Sequence, residues 1–217
     1  MKKSARKNAK SEPVETSDSE VFSGKSQKRL LYRPKNETFR NREHLTPEEM
    51  EALIDASKTQ GRYPLRDSTM ILLAYRHGLR VTEAVRLQWS DINLKAPTIY
   101  IKRLKGSQSG VHPLGKDEVK ALTKLKNQAE STRWIFENER GGLISADTAR
   151  KIFARAGRVA GLNFPVHFHM ARHSCGYYLA NRGTDLLLIQ AWLGHRDISN
   201  TVRYTALAPN RFEGLWD

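Results

Sequence analysis

From Leu45 onward the apolar residues of this chain recur largely at helical spacing; before it they form no periodic face. Thr46-Pro47-Glu48-Glu49 combines an N-cap, a proline at the first helical position and a capping-box glutamate, and Leu45 and Met50 can close over it as a hydrophobic staple. A first helix and the folded domain therefore begin there. A second helix, over about Leu65 to His77, carries Met70, Ile71, Leu73 and Ala74 toward a core and stops at Gly78. Gly78-Leu79-Arg80-Val81-Thr82-Glu83 starts another.

Thr98 to Leu104 is rich in β-branched and apolar residues, Lys105 to Gly110 is polar with two glycines, and Val111 to Leu114 is extended toward Pro113. This pattern predicts a β-hairpin with Lys105 in its loop. Asp117 to Asn127 reads as helix, Trp134-Ile135-Phe136 as a short strand, and Ser145 to Ala160 as a helix. That last helix has an apolar stripe of Ile152, Phe153, Ala156 and Val159 and a basic face of Arg150, Lys151, Arg155 and Arg158, so it can dock on the core and present charge to a phosphate backbone. A wet basic face is the plainer reading. Helices then cover about His169 to Asn181, ending at Arg182-Gly183, and Asp185 to Leu193, ending at Gly194.

Charge changes the picture. Lys and Arg total 37 against 23 Asp and Glu, a net +14, and an excess of this kind favours a polyanionic partner without naming an activity. Residues 1–43 hold twelve Lys or Arg and six Asp or Glu, and read as a disordered basic tail (domain boundary 1–44) with Lys28, Arg29 and Arg33 as its best phosphate contacts. Cys175, the only cysteine, excludes an intramolecular disulfide and a multi-cysteine zinc site; among Ala171, Tyr178 and Leu179 it reads as a packed thiol. No signal peptide or membrane span is indicated, and the cytoplasm is the expected compartment.

Cleavage of a phosphodiester by a protein nucleophile needs an attacking oxygen, cations on the non-bridging oxygens, a base, and an acid for the departing oxygen. Tyr204 is the candidate nucleophile: it attacks poorly until deprotonated, yet leaves competently once bound to phosphorus, which makes the step reversible. Arg80 and Arg172 are the natural clamp, because a planar fork of donors matches phosphate oxygens. Glu83, one turn beyond Arg80, can hold that guanidinium; an ordinary surface pair is the alternative. His169 shares a helix face with Arg172 and is the candidate acceptor for the tyrosine proton. His195 would donate to a non-bridging oxygen, and Lys105 would protonate the departing 5′ oxygen. Each signal alone is weak, and the set and its order give it force.

The words Gly78-Leu79-Arg80-Val81-Thr82-Glu83, His169-Met170-Ala171-Arg172-His173, Leu193-Gly194-His195 and Thr201-Val202-Arg203-Tyr204-Thr205 together resemble the tyrosine recombinase (phage integrase) family, over about Leu45 to the C-terminus. Ile99-Tyr100-Ile101, Leu104-Lys105, His112-Pro113-Leu114 and Arg172-His173-Ser174-Cys175-Gly176 are similar in phrasing to the short bacterial invertases that switch fimbrial promoters. The resemblance implies a mainly α (α+β) catalytic domain, 45–217, with a small antiparallel β-sheet. It also implies a mechanism without metal, nucleotide or other cofactor, through a 3′-phosphotyrosine and a Holliday junction. It assigns the nucleophile to Tyr204, the catalytic cluster to Arg80, Lys105, His169, Arg172 and His195, a supporting role to Glu83 and an orienting one to His173.

Only the tail precedes Leu45, so the separate DNA-gripping domain of longer relatives has no room and DNA would be held by one domain and its tail. Phe212, Leu215 and Trp216 could dock on a neighbouring subunit. Three other readings stay open: a non-cutting DNA-binding regulator of the same fold, a metal protein using His169 and His173 at i,i+4, and a basic RNA-binding or ribosomal-type protein. The expected function is a site-specific DNA recombinase that inverts a segment to switch a surface-structure operon, with an integrase or excisionase of a mobile element as the runner-up. The expected partners are double-stranded DNA with inverted-repeat sites, a homotetramer on that DNA, and DNA-bending accessory proteins, with no membrane, in the bacterial nucleoid.

Overall fold

Helix α1 runs Pro47–Thr59 because its first turn is closed from both sides: Thr46 Oγ1 accepts from the Glu49 N–H at 3.2 Å and the Glu49 carboxylate accepts from the Thr46 N–H at 2.8 Å. Leu45 and Met50 are buried at that start. The computed structural model describes residues 42–104, 106–129 and 133–205, of which Thr205 only in its backbone. Lys28, Arg29, Arg33, Lys105, Phe212, Leu215 and Trp216 lie outside the described residues.

Helix α2 (Pro64–Arg76) begins on a proline and ends at Arg76 with His77 as its C-cap, one residue earlier at each end than the periodicity predicts; Gly78 then takes a left-handed φ of +57°, as its helix-stopping position requires. Met70, Ile71, Leu73 and Ala74 are fully buried. The short α3 (Val81–Val85) has Arg80 at its N-cap.

Three short strands form an antiparallel sheet in the order β1 (Ile92–Asn93), β2 (Thr98–Ile101), β3 (Gly110–Pro113), with Ile99 opposite His112 and Ile101 opposite Gly110. The hairpin is present, but β2 is shorter than the sequence predicts. Past Ile101 the Arg103 N–H donates to Ser109 Oγ at 3.0 Å instead of continuing the ladder, and the Arg103 side chain turns into the core. The expected strand at Trp134-Ile135-Phe136 is a correction. Trp134 makes only an isolated antiparallel bridge with Gln88, because the partner segment curls into a 3-10 turn at Trp89–Asp91 and ends the pairing.

Helix α4 covers Lys116–Gln128 and α5 covers Ala146–Val159, N-capped by Ser145. In α5, Ile152, Phe153 and Ala156 are buried as expected, whereas Val159, in the last turn, is 44% exposed and drops out of the stripe. Helix α6 is His169–Asn181, and α7 is Leu186–Leu193, capped by Asp185 and closed by Gly194 at φ +67°. The short α8 (Ser199–Val202) leads into a 3-10 turn at Arg203–Thr205. Helix α1 packs on α2 and α5, and α2 also packs on α4 and α6, so α2 runs through the middle of the core. Among the described residues no helix is long and apolar enough to cross a membrane.

Candidate active site

The site is built where the α2–α3 junction, the N-terminal half of α6 and the end of α7 meet. Capping α3 brings Arg80 and Glu83 together: the Arg80 N–H donates to Glu83 Oε2 at 3.0 Å and Arg80 Nη1 donates to Glu83 Oε1 at 2.8 Å. Glu83 is buried, so this is no surface pair. Its second partner is Arg103, whose Nη1 donates to Glu83 Oε2 at 2.8 Å. Burial would raise the Glu83 carboxyl, but the Arg103 guanidinium and the bonds from Arg80 outweigh it and hold the group below its ordinary range. Arg172, 2% exposed on α6, donates from Nη1 to Gly78 O at 2.6 Å and from Nη2 to Leu193 O at 2.7 Å. Burial, then the charges of Arg103 and Arg80, lower it to about 10, so it is still a cation at neutral pH.

Tyr204 stands on the 3-10 turn after α8 and is 1% exposed. Its ring lies edge-on to Tyr177 at 5.1 Å between centroids and stacks over His195 at 6.2 Å. Gly176 admits it: a Cβ there would lie within 2.8 Å of three Tyr204 ring atoms. Burial pushes the phenol up to about 12, against the pull of Arg172 and Arg203. The hydroxyl meets His173 Nδ1 at 3.3 Å. The expected proton acceptor, His169, stands beside this contact rather than in it. His169 lies one turn N-terminal, its ring edge-on to His173 at 4.6 Å, so the histidine one turn further along α6 takes the contact instead.

His173 is pushed down to about 3, by burial first and then by His169 and Arg203, so it is neutral and can accept a hydrogen bond. His195 is lowered to about 4 by burial, then by Arg172 and Arg80, and its Nδ1 is 2.8 Å from Thr201 Oγ1, leaving Nε2 for the cleft. Burial and the Arg172 charge also lower His169, although its ring opens to solvent, which moderates the effect.

Arg80, His169, Arg172, His173, His195 and Tyr204 line one open cleft of about 850 Å³, together with Ser107, Arg196 and Arg203. The cleft can hold a tetrahedral oxyanion: an excess of guanidiniums faces a phenol and neutral imidazoles. Glu83 sits behind it. Arg150, Lys151 and Arg158 are exposed on α5 and are not among the cleft residues; Lys151 pairs with Asp147 at 2.8 Å. Arg155 is held differently from the basic face expected of it, since its guanidinium reaches the buried Asp67 at 3.1 Å. Among the described residues no three His, Cys, Asp or Glu side chains are grouped so as to hold a metal ion.

Sequence reasoning missed Arg103, and missed Arg196 and Arg203 as cleft residues. A signal for Arg103 existed: it continues the phase of Ile99 and Ile101, both buried, so a charge was due to point inward. It also missed the pairing of His77 Nε2 with Glu118 Oε1 at 2.9 Å beneath His112, all three buried.

The model of the phage integrase family matches residues 43–211. The type 1 fimbriae regulatory protein FimE of Escherichia coli K12 is 44% identical over 182 residues, covering 81% of this chain and 91% of that protein. FimB of the same strain is 44% identical over 184 residues, covering 82% and 91%. Among solved structures, the XerH site-specific recombinase bound to difH substrate in a pre-cleavage complex is similar at a TM-score of 0.66 and 26% identity, covering 76% of this chain and 50% of that one.

Proposed function

The chain belongs to the phage integrase family, and from that premise we propose that Tyr204 cleaves and rejoins DNA at inverted-repeat sites, switching an adjacent fimbrial or other surface-structure operon. The protein is a site-specific DNA recombinase of the tyrosine type. The observation that carries the catalytic assignment is the meeting of Arg80, His169, Arg172, His195 and Tyr204 on one cleft. Likeness to two fimbriae regulatory proteins supports inversion as the outcome.

In this reading the scissile phosphate lies between Arg80 and Arg172, which neutralise its non-bridging oxygens, with His195 Nε2 donating a further hydrogen bond. Tyr204 Oη attacks phosphorus as its proton passes to an imidazole, with His173 nearest in the resting site. The bond from phosphorus to the 5′ oxygen breaks, its electron pair leaves on that oxygen, and Lys105 supplies the proton. The 3′-phosphotyrosine preserves the ester, so a 5′ hydroxyl from another strand can reverse every step. We further assign the domain to 45–217, with residues 1–44 as a basic tail adding weak phosphate contacts. Four subunits act on paired sites with DNA-bending proteins, in the bacterial nucleoid.

Covalent trapping tests this. The protein and a Tyr204→Phe variant are incubated with a nicked suicide duplex carrying the inverted repeats nearest the gene, in chelator, and run on a denaturing gel. A DNA-linked band given by the parent and lost in the variant is expected. Binding without a band on any such site would sink the catalytic assignment. A product joined to a second replicon rather than inverted would leave the chemistry standing and replace the outcome.

A further inference from the structure

Arg103 is a cation with a 1% exposed side chain, and the chemistry above gives it no task. It makes four hydrogen bonds from its two terminal nitrogens. Nη1 donates to Glu83 Oε2 at 2.8 Å and Gly78 O at 3.2 Å; Nη2 donates to His77 O at 2.9 Å and Trp192 O at 2.7 Å. These acceptors belong to the α2–α3 junction, α3 and the end of α7. Two of them are shared with the proposed clamp: Arg80 holds the other oxygen of Glu83, and Arg172 donates to Gly78 O. Arg103 thus stands one contact away from each clamp arginine and joins the elements that carry them.

Charge gives the arrangement a second consequence. Glu83 facing Arg80 alone would neutralise it; facing Arg80 and Arg103 together, it leaves one positive charge in excess. Because Glu83 and Arg103 are buried and Arg80 is only partly exposed, that excess is screened less than it would be at a surface. Without Arg103, Arg80 would answer mainly to Glu83, and the carbonyls of His77 and Trp192 would each lose this buried donor.

We propose that Arg103 is a positioning residue for strand cleavage: it anchors Glu83 and the Gly78 carbonyl so that Arg80 and Arg172 are held in place, with charge to spare, for the scissile phosphate. This rests on the reading of Arg80 and Arg172 as the phosphate clamp. A lysine would restore the charge but not the planar fork that reaches four acceptors.

The test compares Arg103→Met and Arg103→Lys with the parent on two nicked suicide duplexes, one with an ordinary scissile phosphate and one with a methylphosphonate there, which lacks the non-bridging negative charge. Rates of covalent adduct formation are read beside thermal unfolding. On phosphate, Arg103→Met should be slower on the order of 100-fold, the loss typical of a displaced catalytic group, with Arg103→Lys between it and the parent. On methylphosphonate the gap between Arg103→Met and parent should close, because that centre needs no surplus of cations. Equal slowing on both substrates would mean a purely structural role and overturn the proposal, as would parental rates on phosphate. If Arg103→Met does not fold, the same comparison on Arg103→Lys decides. A parent that forms no adduct on either duplex would instead overturn the reading of the cleft, and this proposal with it.

Discussion

Gly194 ends α7 at φ +67°, and a Cβ built there would stand 2.5 Å from Gln108 O and 3.0 Å from Arg103 Cγ. Gln108 O is backbone and cannot swing aside, and the Gln108 N–H already donates to Gly194 O at 3.3 Å. Gly183 supplies the control: its φ is +74°, and nothing lies within 4 Å of its added Cβ. Alanine at either position meets the left-handed penalty, about 1–2 kcal/mol. Only Gly194→Ala adds the cost of forcing the hairpin stem and α7 apart, about 1–3 kcal/mol. At roughly 2–4 °C per kcal/mol for a domain of this size, Gly194→Ala should unfold on the order of 5 °C below Gly183→Ala in thermal scans at one pH and salt. Gly194 also lies between Leu193, whose carbonyl receives Arg172, and His195. Adduct formation should therefore slow in Gly194→Ala and stay near parental in Gly183→Ala. Equal losses of Tm in the two variants would refute the argument, because the carbonyl contact would then be worth nothing.

Burial first, then nearby cations or imidazoles, hold His112 and His173 at about 3 and His195 at about 4, while an unfolded chain titrates them near 6.5. Between pH 6.5 and 5 the unfolded state therefore binds more protons than the folded one, and stability must fall as pH falls, by up to about 1.4 kcal/mol per pH unit for each such group. Thermal scans at pH 7.0, 6.0 and 5.0 should show a declining Tm, with a shallower decline in His112→Gln; a flat profile would contradict the buried neutral histidines. On α5, Arg158→Met should lower the slope of log affinity against log salt by about one if that exposed side chain meets a phosphate, whereas Arg155→Met should mainly lower Tm, because its guanidinium is engaged with buried Asp67. Titrating labelled duplex at several salt concentrations distinguishes them, and an unchanged slope in Arg158→Met would remove α5 from the DNA-facing surface.

Elements whose limits are set by local chemistry were legible before the fold was known. The capping box at Thr46 and the left-handed glycines at Gly78 and Gly194 follow from residues within one turn of each boundary. What was not legible depends on partners distant in sequence. Trp134 fails to extend a strand because of what residues 89–91 do, and Arg155 is diverted by Asp67, 88 positions away. The cleft shows the same division. Arg80 with Glu83 is an i,i+3 relation and was visible; which imidazole meets Tyr204 depends on where a turn 31 residues downstream lays the ring, and was not.

The resting site is electrostatically unfinished, and its own charges explain why. Tyr204 keeps its proton at about 12 while its neighbour His173 sits at about 3, so the phenol does not give its proton to that imidazole. Burial is the largest cause of the lowered histidines, and for His169 and His195 the next is Arg172, one of the cations proposed to hold phosphate. A phosphodiester entering between Arg80 and Arg172 would offset that repulsion and add negative charge beside the imidazoles, raising all of their pKa values together. Basic capacity for the tyrosine proton and donor capacity at His195 would then rise in one event, with Tyr204 already packed against Gly176. In that order of events the substrate's charge, rather than a movement of protein, is what turns a stable phenol into an attacking oxygen, which would keep a buried tyrosine unreactive until DNA is in place.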